Sequence, residues 1–251
     1  MLEMAAILLA GLAAGTINTV VGSGTLVTFP TLLAFGVPPV VANVSNTVGL
    51  APGSVSGAIG YRRELRGQRG RLIRLGSASL IGGVIGALLL LVLPEDAFRA
   101  IVPVLIGLGV LLVAVQPWVK AWVDRAGGGR AVPENGSSWV WVLVLLTGVY
   151  GGYFGAAQGV LLMAILGIGL NETIQRNNAT KNVLAGLVNG VAAVLFIIIA
   201  EVDWAIAGLI AVGAVIGGQI GASVGRRLPP WLLRLVIIVV GVVALVSFVL
   251  D

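Results

Sequence analysis

Four stretches of this chain, Leu75–Leu93, Ala100–Val119, Ser137–Leu170 and Val183–Ala200, contain no charged side chain. No other feature narrows the choice of fold as much. Each stretch is long enough for a helix to cross a hydrocarbon core about 30 Å thick. None shows the alternation of apolar and polar residues that a membrane β-strand needs. Only 10% of the 251 residues are charged, whereas a soluble domain carries about 25%. The expected fold is an all-α polytopic membrane protein, with the lipid bilayer as its surroundings.

Ten hydrophobic segments are expected, near 4–21, 24–36, 40–60, 73–93, 98–117, 139–156, 157–170, 182–200, 204–225 and 231–250. The second and seventh are too short for a straight span. The N-terminal residues carry Glu3 in place of a basic region, so 4–21 reads as a retained membrane segment, not a cleaved signal. The net charge of +5 resides in short loops, which the positive-inside rule explains without nucleic acid as a partner. Loops 61–74, 118–138, 171–181 and 226–230 are rich in Arg and Lys and are expected on the cytoplasmic side of a bacterial inner membrane. The acidic loops, with Glu95 and Asp96 and with Glu201 and Asp203, fall on the opposite side. The chain divides into a first membrane repeat (1–120), a cytoplasmic linker (121–138) around Gly127–Gly129, and a second repeat (139–251).

Small residues four apart recur in the same order in both halves. Gly11 and Gly15 match Gly148 and Gly152; Gly53 and Gly57 match Gly186 and Gly190; Gly82 and Gly86 match Gly217 and Gly221. Such pairs let helix backbones approach closely in lipid, and their ordered recurrence indicates a duplication. Corresponding loops carry opposite charge, so the two repeats are expected to have inverted topology, as in transporters with a binding site near the bilayer midplane. Each half then has about five hydrophobic segments, including a broken or re-entrant short helix near 18–36 and near 151–170. Whether those hairpins cross the membrane fully is left open.

Helix-breaking, polar backbone within a membrane belongs where it is buried in protein or lines a wet cavity. Asn18, Ser23, Gly24 and Thr25 in the first turn, and Gln158 and Gly159 in the second, are therefore candidate ligands. The helix starts at these turns offer free amides to an anion. Asn46 and Thr47, and Asn178, Thr180 and Lys181, follow each hairpin and add hydroxyls, amides and one cation. Lys181 either attracts an anion to the cytoplasmic mouth or snorkels to the headgroups. Asn189 and Gln219 read as interhelical hydrogen-bond partners. The chain has no cysteine and no histidine, which removes thiolate chemistry, imidazole metal sites and histidine relays. No cofactor, metal or catalytic residue is expected, and the acids are too scattered for an enzyme.

The segment "GLAAGTINTVVGSGTLVTFPTLLAFGVPPVVANVSNTVG", with its second copy "GVYGGYFGAAQGVLLMAILGIG … NATKN" and the basic loop between the third and fourth segments, resembles the TauE/SafE sulfite exporter family. "GSGT" and "GAAQG" stand where that family usually has an unbroken glycine triplet. The resemblance implies a transporter, in the exporting direction, for a small sulfur-containing anion such as sulfite or an organosulfonate, working by alternating access. A passive anion channel or a membrane scaffold is the alternative, and a homo-oligomer is left open.

Overall fold

The structure is a computed structural model that describes residues 2–126, 133–224 and 230–250. Among the described residues every regular element is a helix. In chain order they are α1 (Leu2–Val20), α2 (Thr25–Ala34), α3 (Pro39–Gly60), α4 (Arg69–Val92), α5 (Glu95–Ala126), α6 (Ser138–Tyr153), α7 (Gln158–Gly169), α8 (Ile174–Ile199), α9 (Trp204–Val224) and α10 (Pro230–Leu250). Five of these, α1, α4, α5, α8 and α9, contain windows long and apolar enough to cross a membrane. The protein is a multi-pass membrane protein.

The short helices α2 and α7 have 10 and 12 residues, and at 1.5 Å per residue they reach only about half-way across a bilayer core. Each follows a tight turn. Gly22 (φ 90°) and Gly155 (φ 75°) occupy the left-handed region that side chains with a Cβ avoid. Gly24 lies so close to the Ala14 carbonyl that a methyl group there would overlap it. The chain therefore doubles back along α1 as a hairpin. The two hairpins are tied by an edge-to-face contact between Phe29 of α2 and Phe154 of the second turn, with ring centroids 5.0 Å apart.

Two boundaries differ from the sequence reading. Residues 174–181, expected within a loop, are helical: the Thr173 hydroxyl caps α8 by accepting the Arg176 amide at 3.4 Å, and the polar residues that follow face protein. Likewise α5 runs to Ala126, so the first part of the expected linker extends the fifth helix. Gly127–Gly129, Arg130, Arg226 and Arg227 lie outside the described residues.

Four of the six repeated glycine pairs, in α1, α4, α6 and α9, mark the principal seams, which exchange partners between the halves, whereas nothing stands within 4 Å of a Cβ at Gly190. Gly11 and Gly15 of α1 face Ile210 and Ala214 of α9, whose Gly217 and Gly221 face Leu12 and Thr16 in return. Gly148 and Gly152 of α6 face Ser79 and Gly83 of α4, whose Gly82 and Gly86 face Leu145 and Val149. Each first helix thus packs on the fourth helix of the other half. Asn189 and Gln219 do bond between helices, Asn189 Nδ2 to the Ser54 Oγ at 3.1 Å and Gln219 Nε2 to the Ser56 carbonyl at 2.8 Å.

α3 and α8 pack against each other in opposite directions. The start of α8 meets the loop that follows α3, because Gln68 Nε2 donates to the Arg176 carbonyl at 3.4 Å. Beyond the end of α8, the Asp203 amide donates to the hydroxyl of Ser45, near the start of α3, at 2.9 Å. At the basic end, Arg71 is buried and joins three loops. It donates to Gln68 Oε1 at 2.7 Å, to the Glu134 carbonyl at 2.6 Å and to Glu172 Oε1 at 3.0 Å. Loops expected to share one side of the membrane are thereby gathered at one end of the helices.

A side chain at Gly86 would overlap the Val149 carbonyl, whereas nothing stands within 4 Å of a Cβ at Gly208. Gly86→Val is expected to destabilise the fold by on the order of 3 kcal/mol, and Gly208→Ala to stay within about 0.5 kcal/mol. Thermal unfolding midpoints of the purified variants in detergent check both.

Candidate site between the two hairpin turns

The turns of the two hairpins touch. The Gly159 amide donates to the Gly22 carbonyl at 2.9 Å, and a methyl group on either residue would overlap the backbone of the other. Beside this contact lies a polar cavity of about 20 Å3, room for a water-sized occupant. Its walls come from five helices and both turns. α1 supplies Asn18 and Thr19, α3 supplies Ser54, and α8 supplies Asn182, Ala185 and Asn189, while Gly22, Thr25, Gly155, Gln158 and Gly159 come from the hairpins.

The expected site residues fall into groups. Asn18, Thr25, Gln158 and Gly159 line the cavity. Gly24 and Asn46 stand one layer back and orient that lining. The Gly24 amide donates to Asn18 Oδ1 at 2.7 Å, and Asn46 Nδ2 reaches Thr25 Oγ1 at 3.5 Å. Ser23 is buried without a partner for its hydroxyl. Two of the expected residues are engaged elsewhere: Thr47 bonds its own helix through the Asn43 carbonyl at 2.9 Å, and Thr180 donates to Gln68 Oε1 at 2.9 Å in the basic-end cluster.

Lys181 neither snorkels nor sits at an open mouth. It is 0% exposed. Its Nζ crosses from α8 to the end of α1 and donates to the carbonyls of Asn18 at 2.9 Å and Thr19 at 3.2 Å. Asn178 and Asn182 also aim amide nitrogens at the Thr19 carbonyl, at 3.1 and 3.2 Å. The last carbonyls of a helix have no intrahelical partner and carry its negative dipole end. Here α8 satisfies them from outside with one ammonium and two amides.

The amides expected to be free are largely spoken for. Gly22 donates to the Ile17 carbonyl at 3.0 Å, Gly24 to Asn18, and Gly159 to Gly22. What remains on offer is the side-chain nitrogen of Gln158, which is buried and has no hydrogen-bond partner. A buried donor without an acceptor is costly, so Gln158 is poised for one that enters the cavity. Among the described residues, no group of three or more His, Cys, Asp or Glu side chains is gathered as for a metal ion.

Sequence reasoning missed Thr19, Ser54 and Asn182 as lining residues and gave Asn189 only a helix-pairing role. A signal was present: Asn178, Asn182, Ala185 and Asn189 are spaced four, three and four apart, which puts small and polar groups on one helical face.

The family model described as sulfite exporter TauE/SafE matches residues 7–248, nearly the whole chain that builds this cavity. The chain belongs to the TauE/SafE family. This is a family of membrane transporters, and its similarity to curated relatives runs end to end. It is 25% identical to a probable membrane transporter protein, ORF9, of Sinorhizobium sp over 99% of this chain and 93% of that one. It is 26% identical to the probable membrane transporter protein YfcA of Escherichia coli K12 over 95% of this chain and 86% of the relative. A probable membrane transporter protein of Haemophilus influenzae is 22% identical over 96% and 92%.

The basic-end cluster is joined to α8 through Thr180, which donates to Gln68 Oε1. Burial pushes the Glu172 carboxyl up, but hydrogen bonds and charge from Arg176 and Arg71 outweigh it and hold the group below the ordinary carboxylate range. A depressed folded-state value means stability that is fully present above the unfolded value and lost as pH falls through the folded one. Glu172→Gln is expected to flatten the acid-side fall of the unfolding midpoint. It should also destabilise the protein by about 1–3 kcal/mol near neutral pH, because Arg71 loses its only charged partner among the hydrogen bonds described. A pH series of thermal unfolding on both proteins checks it.

Proposed function

We propose that this chain exports a small sulfur-containing oxyanion, sulfite or an organosulfonate, by alternating access around the cavity where the hairpins meet. The observation that carries the reading is the lining of that cavity. Neutral donors from both halves converge on it, one of them unpartnered, and a buried ammonium stands directly behind its wall. Amides and hydroxyls replace an oxyanion's hydration, and one cation offsets its charge, without any covalent step. The sulfite-exporter description of the family supports the choice of a sulfur oxyanion.

The substrate-binding set is then Asn18, Thr25, Gln158 and Gly159 in contact with the anion. Ser23, Gly24, Asn46 and Asn178 support the turns, Lys181 supplies charge, and Thr47 and Thr180 lie on the flanking helices. A cavity of about 20 Å3 is too small for sulfite, so on this reading the site must widen to load. Loading requires the hairpins to part from α3 and α8. An inverted repeat supplies such a motion, since two similar halves can exchange roles about a shared site. The opposite directions of α3 and α8 support that architecture, as does the exchange of partners by which α1 packs on α9 and α6 on α4.

Gln158→Leu and Ser23→Leu are expected to abolish saturable sulfite flux in proteoliposomes while leaving the purified protein monodisperse. Normal flux in both variants would remove the hairpin turns from the site. Flux that never saturates would favour a passive channel, and none in the unaltered protein a scaffold.

A further inference from the structure

We infer that this site takes oxyanions bearing a single negative charge and rejects dianions of similar size. The inference rests on the anion-transport reading above and adds a charge rule to it. No acidic or basic side chain lines the cavity. The nearest cation is Lys181, buried in α8 and hydrogen-bonded to the carbonyls of Asn18 and Thr19, both of which belong to cavity residues. An ammonium has three donors, and two are used on those carbonyls. Its charge therefore already faces the negative end of α1 before any anion arrives.

Among the described residues, no second cation completes a dianion site. The glycine register that pairs Gly53 with Gly186 and Thr47 with Thr180 puts Val48 opposite Lys181 in the first half. The duplicated frame thus carries its charge once. At the start of α8, Arg176 and the α4 residue Arg71 share Glu172 at 2.6 and 3.0 Å, and Arg71 also holds the Glu134 carbonyl. Those guanidiniums are committed to the end of the bundle. The positive ends of α2 and α7 add only partial charge, and the Gly24 and Gly159 amides that would present it already have acceptors.

The scaling of the two opposing energies decides the outcome. Removing an ion from water costs in proportion to the square of its charge, so a dianion costs roughly four times as much to desolvate as a monoanion of the same radius. Its attraction to one fixed cation grows only about twofold. In a small cavity with one cation behind its wall, the second charge is uncompensated.

The test compares methanesulfonate with sulfate, similar tetrahedral anions of one and two charges, as sodium salts at matched ionic strength with chloride as control. A ligand that binds only the native state raises the apparent unfolding midpoint by mass action. Methanesulfonate is expected to raise the midpoint of the full-length protein in detergent at a concentration at least tenfold below that needed for sulfate. It should also compete for sulfite flux in proteoliposomes measured on the acid side of neutrality, where the carried species is the monoanion hydrogensulfite, and sulfate should not. Sulfate acting at equal or lower concentration than methanesulfonate would overturn the charge rule while leaving the anion site standing. If neither anion exceeded chloride in either assay, the anion reading itself would fall and the charge rule with it. Lys181→Gln should lose the methanesulfonate effect, and a folded Lys181→Gln that kept the full preference would overturn the assignment to Lys181. The comparison on the unaltered protein decides the matter without that variant.

Discussion

A helix that ends buried in protein leaves its last carbonyls with no water to donate to them, and the architecture around α1 follows from that constraint. The Ile17 carbonyl is taken by the turn that follows it, while those of Asn18 and Thr19 are met by Lys181, Asn178 and Asn182 of α8. Because these donors come from another helix, the break in α1 cannot exist without α8 in register against it. The same contacts put the Lys181 side-chain nitrogen beside a polar cavity. On the proposed reading, the fixture that lets the helix end also supplies the positive potential of the site.

Much of the fold was legible because its causes are local in sequence. Uncharged runs gave the spans, and the basic loop after α3 and the acidic loop after α8 do lie at opposite ends of that helix pair. The glycine pairs were legible as seams, though not their partners, since spacing along one helix says nothing about which helix lies opposite. The site was only partly legible. Gly22 and Gly24 were recognisable as breakers, but the capture of their amides by Ile17 and Asn18 depends on how tightly the turn closes. Lys181 was misplaced at a mouth or at the headgroups because a lysine near a helix end ordinarily escapes to water. Its burial depends on the α1 carbonyls, from residues more than 160 positions away along the chain.

The two halves also depart from each other in a way that bears on the site. After the glycine pair of its first helix, the first half continues helically from Gly15 to Val20, whereas the second stops at Tyr153, directly after Gly152. The extra turn, Ile17–Val20, contains both α1 residues of the cavity wall and both carbonyls that bind Lys181. The α1 share of the lining and the anchor of Lys181 therefore belong to a stretch in which the two halves differ.

The contact between Gly22 and Gly159 has a consequence for how such a sequence can drift. Most crowded pairs tolerate a larger residue on one side once the other shrinks, but here both partners are already the smallest residue there is. No second substitution at the contact relieves a first. Only separation of the two hairpins would, at the expense of the hydrogen bond that joins them. The two positions are locked to one residue type by each other, which makes them the poorest place in this protein to begin redesigning its cargo and the safest pair to hold fixed while everything around the cavity is varied.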